Sequence, residues 1–356
     1  MSRRALLYGA TGYTGRETAG RLAAAGTDLV LAGRNPERVR AVADPLGLKW
    51  RAFDLTDPAV LREALADIHT VLHAAGPFQV TARPMLDACL ASGIHYLDFN
   101  GEWPAFLEAI SLDAAASAAG VMIMPGVGLT IAATDCLLAM AKQLWPDTVR
   151  LCLGVSKPQV ITRGTIESAA HTITPEVLVR RDGELMGASL GSLTRAFDFG
   201  AGLSQAAAVS WADVVTGALT TGVENIEVYQ EMGWAQRAGY RSSGLAMDLT
   251  GPGPWRRAGA SLSALWPAGP TAEARGAAHY TMVVEALDPW RRVRRLRMRT
   301  RDGYTTSVLT GAAAVERVLA GEAQPGFQTP GRVFGPQFVF DTGAAVLETA
   351  SGSAAA

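Results

Sequence analysis

Short apolar runs alternate with longer amphipathic segments through the first 130 residues of the chain. The runs predict buried strands, and the segments between them have the length and polarity of helices. Strands are expected at 5–8, 28–32, 49–53, 70–74, 96–99 and 121–124, and helices at 16–25, 36–46, 83–92, 104–119 and from 58 onward. This alternation predicts parallel βαβ units with right-handed crossovers.

The pattern changes after Thr130. Strand-like runs at wider spacing predict an α+β domain built on a mostly antiparallel sheet. The stretch 251–276 is rich in Gly, Pro and Ala and predicts a lid or a mobile loop, because it is longer than ordinary connections. In this part the expected strands are 149–155, 193–199, 226–229, 280–286 and 293–300, and the expected helices are 132–144 and 310–320.

A glycine-rich turn follows the first expected strand and opens the first helix, with the spacing G-x-x-G-x-x-G. Such glycines let the chain turn off the strand, let backbone N–H groups approach a pyrophosphate, and let helix and strand pack closely. The turn predicts an α/β fold with a Rossmann-type, doubly wound parallel sheet that binds a dinucleotide; the alternative is a glycine-rich turn without ligand. The candidate ligands here are Gly9, Thr11, Gly12, Tyr13, Thr14 and Gly15.

The end of the second strand indicates which cofactor the domain takes. An acidic residue at this point would bind the ribose 2′-hydroxyl of NAD. The sequence instead has Arg34 and Asn35, with no carboxylate before Glu37. A guanidinium can pair with a 2′-phosphate and stack on the adenine. We therefore expect NADP(H) rather than NAD(H), with a solvated Arg34 as the alternative.

Two later strand ends complete the expected cofactor site. Asp54 and Leu55 follow the third strand, where a carboxylate suits the adenine amino group. The fourth strand is followed by small residues, which suit a close approach of the backbone to the nicotinamide ribose. The candidates in that turn are Ala75, Gly76, Pro77 and Phe78.

Candidate catalytic residues lie at the end of the fifth strand, at the edge where open α/β sheets bind ligands. Tyr96 and Asp98 are two residues apart and share a face of the strand, and Glu102 follows closely. A buried carboxyl here would have a raised pKa and could donate a proton. The alternative is that Asp98 and Glu102 cap the helix expected near Pro104. Tyr304 is a further candidate phenol.

A second set of polar residues precedes a helix expected near residue 166. Arg163 and Thr165, with the N–H groups of the helix start, could grip a substrate anion or carbonyl, and His171 could donate a proton. The alternative is an ordinary helix N-terminus with a structural histidine. Lys157 is the only lysine nearby, so covalent imine catalysis is not expected.

Residues 291–301 read RRVRRLRMRTR. Arginines at period two predict a strand with one strongly basic face, formed by Arg295, Arg297, Arg299 and Arg301. Two interpretations stay open: a solvated face with acidic partners, or a docking surface for a carrier protein or an acyl-CoA.

Composition excludes several other classes of function. The formal net charge of −1 gives no reason to expect nucleic-acid binding. Three scattered cysteines indicate neither disulfides nor a metal site, and a reducing cytosol is the expected compartment. The longest apolar stretch is interrupted by Pro125 and Asp135, and the N-terminus runs straight into the glycine motif, so neither a membrane span nor a signal peptide is expected.

Several motifs lie along nearly the whole chain: GATGYTGR at 9–16, AGRNPERV at 32–39, HAAGPF at 73–78, IHYLDFNGEW at 94–103, PGVGLTIAATDCLLA at 125–139, TRGTIES at 162–168, DGYTTS at 302–307 and GFQTPGRVFGPQFV at 326–339. Together they resemble the saccharopine dehydrogenase-like oxidoreductases, a family that includes trans-acting enoyl reductases. The chain departs from its relatives at Thr134, where they commonly carry serine.

The resemblance implies a substrate domain inserted after the sixth strand. The implied NADP-binding Rossmann domain comprises 1–130 plus 311–350, and 131–310 form the substrate and dimerisation domain, with a homodimer left open. The implied activity is NADPH-dependent reduction of a C=N bond, or of a polarised C=C bond, in a small or carrier-bound metabolite. A non-catalytic NADP(H)-binding redox sensor is the alternative from another class.

Overall fold

The chain divides into two compact units. The first consists of Met1–Ala132 with Tyr304–Phe334, and the second of Ala133–Gly303 with Gly335–Ala356. The structure, a computed structural model, describes residues 3–160, 162–267 and 269–353 and leaves out the side chains at 165, 260, 272 and 350–353.

Strands and helices alternate in the N-terminal part, as the hydrophobic pattern predicts. The elements are β1 (Ala5–Tyr8), α1 (Tyr13–Ala24), β2 (Leu29–Gly33), α2 (Pro36–Ala43), β3 (Lys49–Ala52), α3 (Pro58–Leu65), β4 (Thr70–His73), α4 (Phe78–Ser92), β5 (His95–Asp98), α5 (Trp103–Ser111), α6 (Asp113–Ala119) and β6 (Met122–Met124). The single helix expected at 104–119 is therefore two helices. The backbone leaves the α-helical conformation at Leu112 (φ −93°, ψ 1°), and Asp113 Oδ1 accepts a bond of 2.7 Å from the N–H of Phe327.

The remaining elements include several strands that the sequence pattern does not predict. They are α7 (Thr134–Leu144), β7 (Arg150–Val155), α8 (Arg163–Thr172), β8 (Glu176–Arg181), β9 (Glu184–Ser189), β10 (Thr194–Asp198), β11 (Leu203–Ala208), α9 (Asp213–Thr221), β12 (Ile226–Glu231), α10 (Trp234–Thr250), α11 (Gly253–Leu262), α12 (Ala272–Ala277), β13 (Thr281–Leu287), β14 (Val293–Thr300), α13 (Gly303–Ala320), β15 (Gly326–Phe327), α14 (Pro330–Val333), α15 (Phe338–Asp341) and β16 (Ala345–Ser353).

The first unit is built on a parallel sheet in the order β15-β6-β5-β4-β1-β2-β3 over the residues described. Every neighbouring pair on this path is parallel. The order reverses between β1 and β4, and ligands of doubly wound sheets bind beside such a reversal, at the carboxyl ends of the strands. The predicted fold class is thus confirmed for this unit.

The second unit contains a larger mixed sheet, with the path β10-β11-β12-β7-β13-β14-β16 in the described part of the chain. β12 and β7 are parallel, and the other pairs on the path are antiparallel. Phe197, Tyr229 and Val283 pack in the buried cluster on this sheet. The mostly antiparallel sheet predicted for this part of the chain is confirmed.

The described residues of the stretch 251–276 are mostly helical, so the irregular loop expected there is not found, and a role as a lid stays a prediction. α11 occupies its first half, and α12 begins near its end. Gly259 of α11 lies so close to α8 that an added Cβ would come within 2.8 Å of the Cβ of Ala170. The glycine and alanine content that suggests a loop therefore permits close packing of two helices.

The C-terminal segment divides between the two units. Residues 304–334 group with the first unit, and residues 335–356 group with the second. The sequence prediction instead assigned 311–350 to the Rossmann domain. The difference arises because β16 pairs with β14 along its length, which attaches the chain end to the mixed sheet.

The basic strand β14 is an interior strand whose arginines have partners. Arg295 pairs with Glu285 at 2.7 Å, and Arg297 and Arg299 both pair with Glu348, at 3.0 and 3.2 Å. Arg301 Nε donates to the carbonyl of Gly343 at 3.0 Å. These contacts favour a solvated face with acidic partners over a docking surface.

None of the helices in the described ranges has both the length and the apolar character needed to cross a membrane.

Gly154→Ala should destabilise the second unit. A Cβ at this position of β7 would lie 2.6 Å from Cγ of Phe197, which is buried in the core. Overpacking of this kind costs about 1–3 kcal/mol, and thermal unfolding should show the loss. The matched control is Gly239→Ala on α10, where the added methyl meets nothing within 4 Å and improves helix propensity. Equal melting temperatures for both variants would contradict this account of the β7 packing.

Candidate active site

The glycine turn joins β1 to α1 through close backbone contacts. Gly9 has φ +88°, a conformation that favours glycine. Gly12 precedes the first helical residue, and its N–H donates to the carbonyl of Gly9 at 3.1 Å. The first N–H groups of a helix have no acceptor within the helix, and the helix dipole adds positive potential there. The start of α1 is therefore suited to a phosphate group.

The three glycines are needed for different reasons. A Cβ on Gly9 would lie 2.7 Å from the carbonyl carbon of Ala74, and a Cβ on Gly15 would lie 2.3 Å from the carbonyl oxygen of Gly9. A Cβ on Gly12 would meet only the Gly9 oxygen, at 3.4 Å. The protein's own backbone therefore fills the space beside Gly9 and Gly15. The space beside Gly12 is open to a ligand, which fits the expected pyrophosphate approach. Thr11, Tyr13 and Thr14 are half-buried in the same turn.

Arg34 and Asn35 follow β2 and are exposed. The side-chain oxygen of Asn35 accepts from the N–H of Arg38 at 2.9 Å, so Asn35 caps α2. Burial raises the pKa of Tyr8 to about 12, and the charges of Asp54 and Arg34 act on its hydroxyl in opposite directions. Both charged side chains therefore lie near the end of β1, where the adenosine part of a dinucleotide would bind.

Asp54 is exposed, and Leu55 is buried. The Asp54 carboxylate accepts from the N–H of Thr56 at 3.0 Å, which fixes the turn after β3. These two residues lie at the carboxyl edge of the sheet, as the sequence predicts.

Glu102 fixes the turn that follows β4. Its carboxylate accepts from the N–H groups of Phe78 and Gln79, at 3.2 and 3.0 Å, and is 1% exposed. This carboxylate therefore caps the start of α4. Glu102 is itself the residue before α5, yet its side chain makes no cap bond there. Ala75, Gly76 and Pro77, which precede α4, are thereby held at the edge of the sheet.

Asp98 is the centre of a buried hydrogen-bond network at the end of β5. Its carboxylate accepts from the hydroxyl of Tyr96 at 2.7 Å, and from the N–H groups of Asn100 and Gly126, both at 2.8 Å. The side chain of Asn100 accepts from the N–H of Glu102 at 2.7 Å. Burial raises the pKa of Asp98 to about 7, although these donors oppose the rise. A carboxyl with this pKa can exchange a proton near neutral pH.

His73, at the end of β4, is a further buried group that was not among the candidate site residues. The hydroxyl of Thr81 donates to the carbonyl of Ala75 at 2.6 Å, so it accepts from His73 Nε2 at 3.0 Å. Desolvation lowers the pKa of His73 to about 3, and the ring is therefore neutral. Among the described residues, Nδ1 has no hydrogen-bond partner. The sequence feature that could have pointed to His73 is its place as the first residue of the motif HAAGPF.

Tyr304 lies beside the glycine turn. Its ring contacts the ring of Tyr13 edge to face, with centroids 5.1 Å apart. Two bonds from α13 fix it there: Ser307 Oγ accepts from the N–H of Leu129 at 3.0 Å, and Thr310 donates to Val127 at 2.7 Å. The phenol is thus brought to the first unit from a distant part of the sequence.

The substrate-side candidates lie on α8 in the second unit. Arg163 begins the helix and is exposed, with its N–H bonded to the carbonyl of Pro267 at 2.9 Å. His171 is half-buried in the last turn. Thr165 belongs to the helix, but its side chain lies outside the described residues. Their contact with substrate stays a prediction.

The second unit also buries two carboxyl groups that the sequence reasoning missed. Asp135 of α7 accepts a bond of 2.5 Å from Thr220, and Asp213 of α9 is fully buried. Desolvation raises the pKa of Asp213 to about 8, and the charge of Asp135 adds to the rise. Asp213 is therefore protonated at neutral pH.

The open space at Gly12, the start of α1 and the charged ends of β2 and β3 define a dinucleotide-binding protein of Rossmann type. Residues 5–124 match the family described as saccharopine dehydrogenase NADP binding domain. The match is limited to these residues, and the resemblance found in the motifs of this part of the chain is confirmed.

Curated relatives match a similar part of the chain. The trans-acting enoyl reductase of Mycobacterium ulcerans is 38% identical over 104 residues, which are 27% of this chain and 25% of that protein. A trans-acting enoyl reductase of Mycobacterium bovis matches with the same identity and the same coverage. The matched segment thus spans about a quarter of the length of these relatives.

Solved structures share the fold over nearly the whole chain. Apo saccharopine dehydrogenase (L-Glu forming) from Saccharomyces cerevisiae has a TM-score of 0.65 at 14% identity and covers 99% of this chain and 100% of its own. Homospermidine synthase from Legionella pneumophila, in complex with NAD, has a TM-score of 0.63 at 8% identity and covers 98% of this chain and 92% of its own. At these identities the likeness concerns the fold.

Gly12→Val should abolish cofactor binding and leave the fold intact. The Cβ itself is tolerated, whereas the valine methyl groups would occupy the space of the pyrophosphate. Fluorescence titration with NADPH and thermal unfolding should be measured on the same samples. The control is Gly15→Ala, which overlaps the Gly9 carbonyl and should lower the melting temperature. Normal NADPH binding by Gly12→Val would exclude this turn as the phosphate site.

Asp98→Asn should flatten the dependence of stability on pH. The folded pKa of Asp98 is about 7, against an ordinary value of 3.8, so the folded chain retains a proton that the unfolded chain releases. This stabilisation is present below pH 4 and is lost as the pH rises through 7, by at most about 1.4 kcal/mol per pH unit. Denaturant unfolding from pH 4.5 to 7.5 should show wild type losing stability relative to the variant. Parallel profiles would mean that Asp98 is ionised throughout.

Proposed function

We propose that the protein is an NADPH-dependent reductase that acts on a polarised C=C bond. The cofactor part of the proposal rests on the glycine turn, which the protein closes at Gly9 and Gly15 and leaves open at Gly12. The C=C part rests on the relatives named enoyl reductases. When bound, the cofactor supplies a hydride to one atom of the double bond, and the other atom takes a proton. Reduction of C=N is the alternative chemistry, since a saccharopine dehydrogenase shares the fold.

NADP(H) is the proposed cofactor in preference to NAD(H). Arg34 is exposed at the end of β2 and stands where NAD-specific domains carry an acid. Its guanidinium would pair with the 2′-phosphate, while Asn35 fixes the start of α2 beside it. The name of the matching family agrees with this choice.

The buried network at β5 would position the cofactor rather than react with substrate. Glu102 holds the turn before α4, and Asp98 holds the turn that contains Gly126. Tyr96 is fully buried and donates to Asp98. Of the four candidate side chains at the two sites, Tyr304 alone is half-buried rather than buried, so we propose its phenol as the proton donor.

The proposed substrate is a small or carrier-bound enoyl metabolite handled by the second unit. Relatives named trans-acting enoyl reductases support C=C reduction, and trans action suggests an acyl group delivered on a carrier protein. Arg163, Thr165 and His171 are the proposed substrate contacts on α8. We also propose a homodimer formed through this unit.

We further propose that the enzyme works in a reducing cytosol. Its cysteines, Cys89, Cys136 and Cys152, are buried thiols that form no disulfide bond. Buried thiols without disulfides suit a reducing compartment.

NADPH oxidation against a substrate panel tests the proposed activity. The panel contains enoyl thioesters, the same acyl groups on a carrier protein, cyclic imines and α-keto acids mixed with amines. Oxidation with enoyl compounds supports the proposal, and oxidation with imines alone would replace it by C=N reduction. Tight NADPH binding without oxidation of any member would instead support a redox sensor.

Arg34→Ala should weaken NADPH binding and leave NADH binding nearly unchanged. Loss of a charged hydrogen bond to the 2′-phosphate should cost about 1.5–3 kcal/mol. The two dissociation constants can be measured by titration of the cofactor fluorescence. Arg40→Ala removes an exposed arginine of α2, the helix that follows Arg34, and serves as the control. Equal losses for NADPH and NADH would show that Arg34 does not bind the 2′-phosphate.

A further inference from the structure

A cavity of about 410 Å³ lies within the second unit beside α8. We call it the α8 cavity. Its walls come from α8, the end of β9, residues 209–211, α10 and α11. Its volume lies in the range of small-molecule pockets, about 300–1,000 Å³.

Apolar side chains form most of the wall of the α8 cavity. They are Ile166, Ala170, Ile173, Leu190, Val209 and Trp211. Ala170 and Leu190 are each 5% exposed and belong to the deep part of the wall. Contact with such a wall stabilises an apolar ligand in proportion to the area removed from water.

The hydroxyl groups of the wall already have partners inside the protein. Thr172 donates to the carbonyl of Ser168 at 3.1 Å, and Tyr240 donates to the carbonyl of Ala208 at 3.3 Å. The hydroxyl oxygen of Ser210 accepts from the N–H of a β8 residue at 2.9 Å. A polar ligand would have to compete with these bonds, and a ligand without polar groups would not.

The open side of the α8 cavity carries charge of both signs. Ala169, Glu176 and Trp255 line the cavity and are exposed, so they mark the side open to solvent. Arg256 of α11 donates from Nε to the carbonyl of the wall residue Ile173 at 3.1 Å. Because the charges are mixed and the wall is mostly apolar, the wall decides the occupant, and it favours an uncharged aliphatic chain.

We propose that the α8 cavity binds the aliphatic acyl tail of the substrate. The inference rests on the proposed reductase function and adds the substrate class: enoyl groups with an extended apolar tail. A tail held in the α8 cavity would contribute binding energy far from the reacting bond.

The test uses saturated N-acetylcysteamine thioesters, which are uncharged and cannot be reduced. Their binding to the full-length protein is measured by calorimetry without cofactor, for acyl chains from butanoyl to tetradecanoyl. Each added methylene should raise the affinity roughly fourfold until the cavity is full. Affinity that does not depend on chain length would overturn the proposal.

Ala169→Phe should remove the preference for long chains. Ala169 is exposed at the mouth, so a larger side chain can enter the cavity without overlapping the core. We expect at least a tenfold loss for the long thioesters and little change for the butanoyl compound. Ile166→Phe fills the cavity from another wall position and should act in the same way.

Ala238→Phe is the matched control, because Ala238 is exposed on α10 and is not part of the cavity wall. Thermal unfolding of all three variants confirms that they fold. If a folded Ala169→Phe protein and a folded Ile166→Phe protein both bind long chains like wild type, the cavity is not the acyl site.

Kinetics with the matching enoyl thioesters separates this inference from the proposed function. Chain-dependent binding without NADPH oxidation would support the cavity and contradict the reductase. NADPH oxidation with a KM that is independent of chain length would support the reductase and contradict the cavity. If oxidation and its dependence on chain length are both observed, Ala169→Phe should raise the KM for long enoyl chains more than for short ones, and Ala238→Phe should change neither.

Discussion

The buried carboxylates at the end of β5 fix the loops that surround the cofactor crevice. Asp98 accepts from three donors, one of them the N–H of Gly126, and Glu102 accepts from the first N–H groups of α4. Burying such groups without partners would cost several kcal/mol each, so the loops that supply the donors are held in one arrangement. Asn100 links the two carboxylates through the N–H of Glu102. The network therefore ties the turn before α4 and the turn that contains Gly126 to the end of β5.

The glycine turn is held by close backbone contact with the turn after β4. Gly9 packs against Ala74 with no room for a Cβ, and the N–H of Ala74 donates to the carbonyl of Tyr8 at 2.7 Å. The turn after β4 is itself held by Glu102. The predicted phosphate turn and the predicted nicotinamide turn thus support one another, and Gly12 alone of the three motif glycines faces open space.

In the second unit, charged residues form ion pairs within the sheet, and small residues allow two helices to pack closely. Glu348 serves both Arg297 and Arg299, so the basic face of β14 is paired within its own sheet. Exposed pairs of this kind add little stability, but they leave few unpaired charges to attract a partner. Small residues at Gly259 and Ala170 bring α11 against α8, next to the apolar cavity. This unit therefore offers an apolar site rather than a basic surface.

Local chemistry in the sequence was enough to predict the parallel sheet, the glycine turn and the position of Arg34, because each depends on residues close together in the chain. Strands β8, β9, β11 and β16 were missed, since their pairing partners, rather than a strong alternation of their own, stabilise them. Only the tertiary structure decided that Glu102 caps α4, that α13 brings Tyr304 to Tyr13, and that α8 borders a cavity. These features arise from contacts between residues far apart in sequence, and such contacts leave no periodic pattern in a single chain.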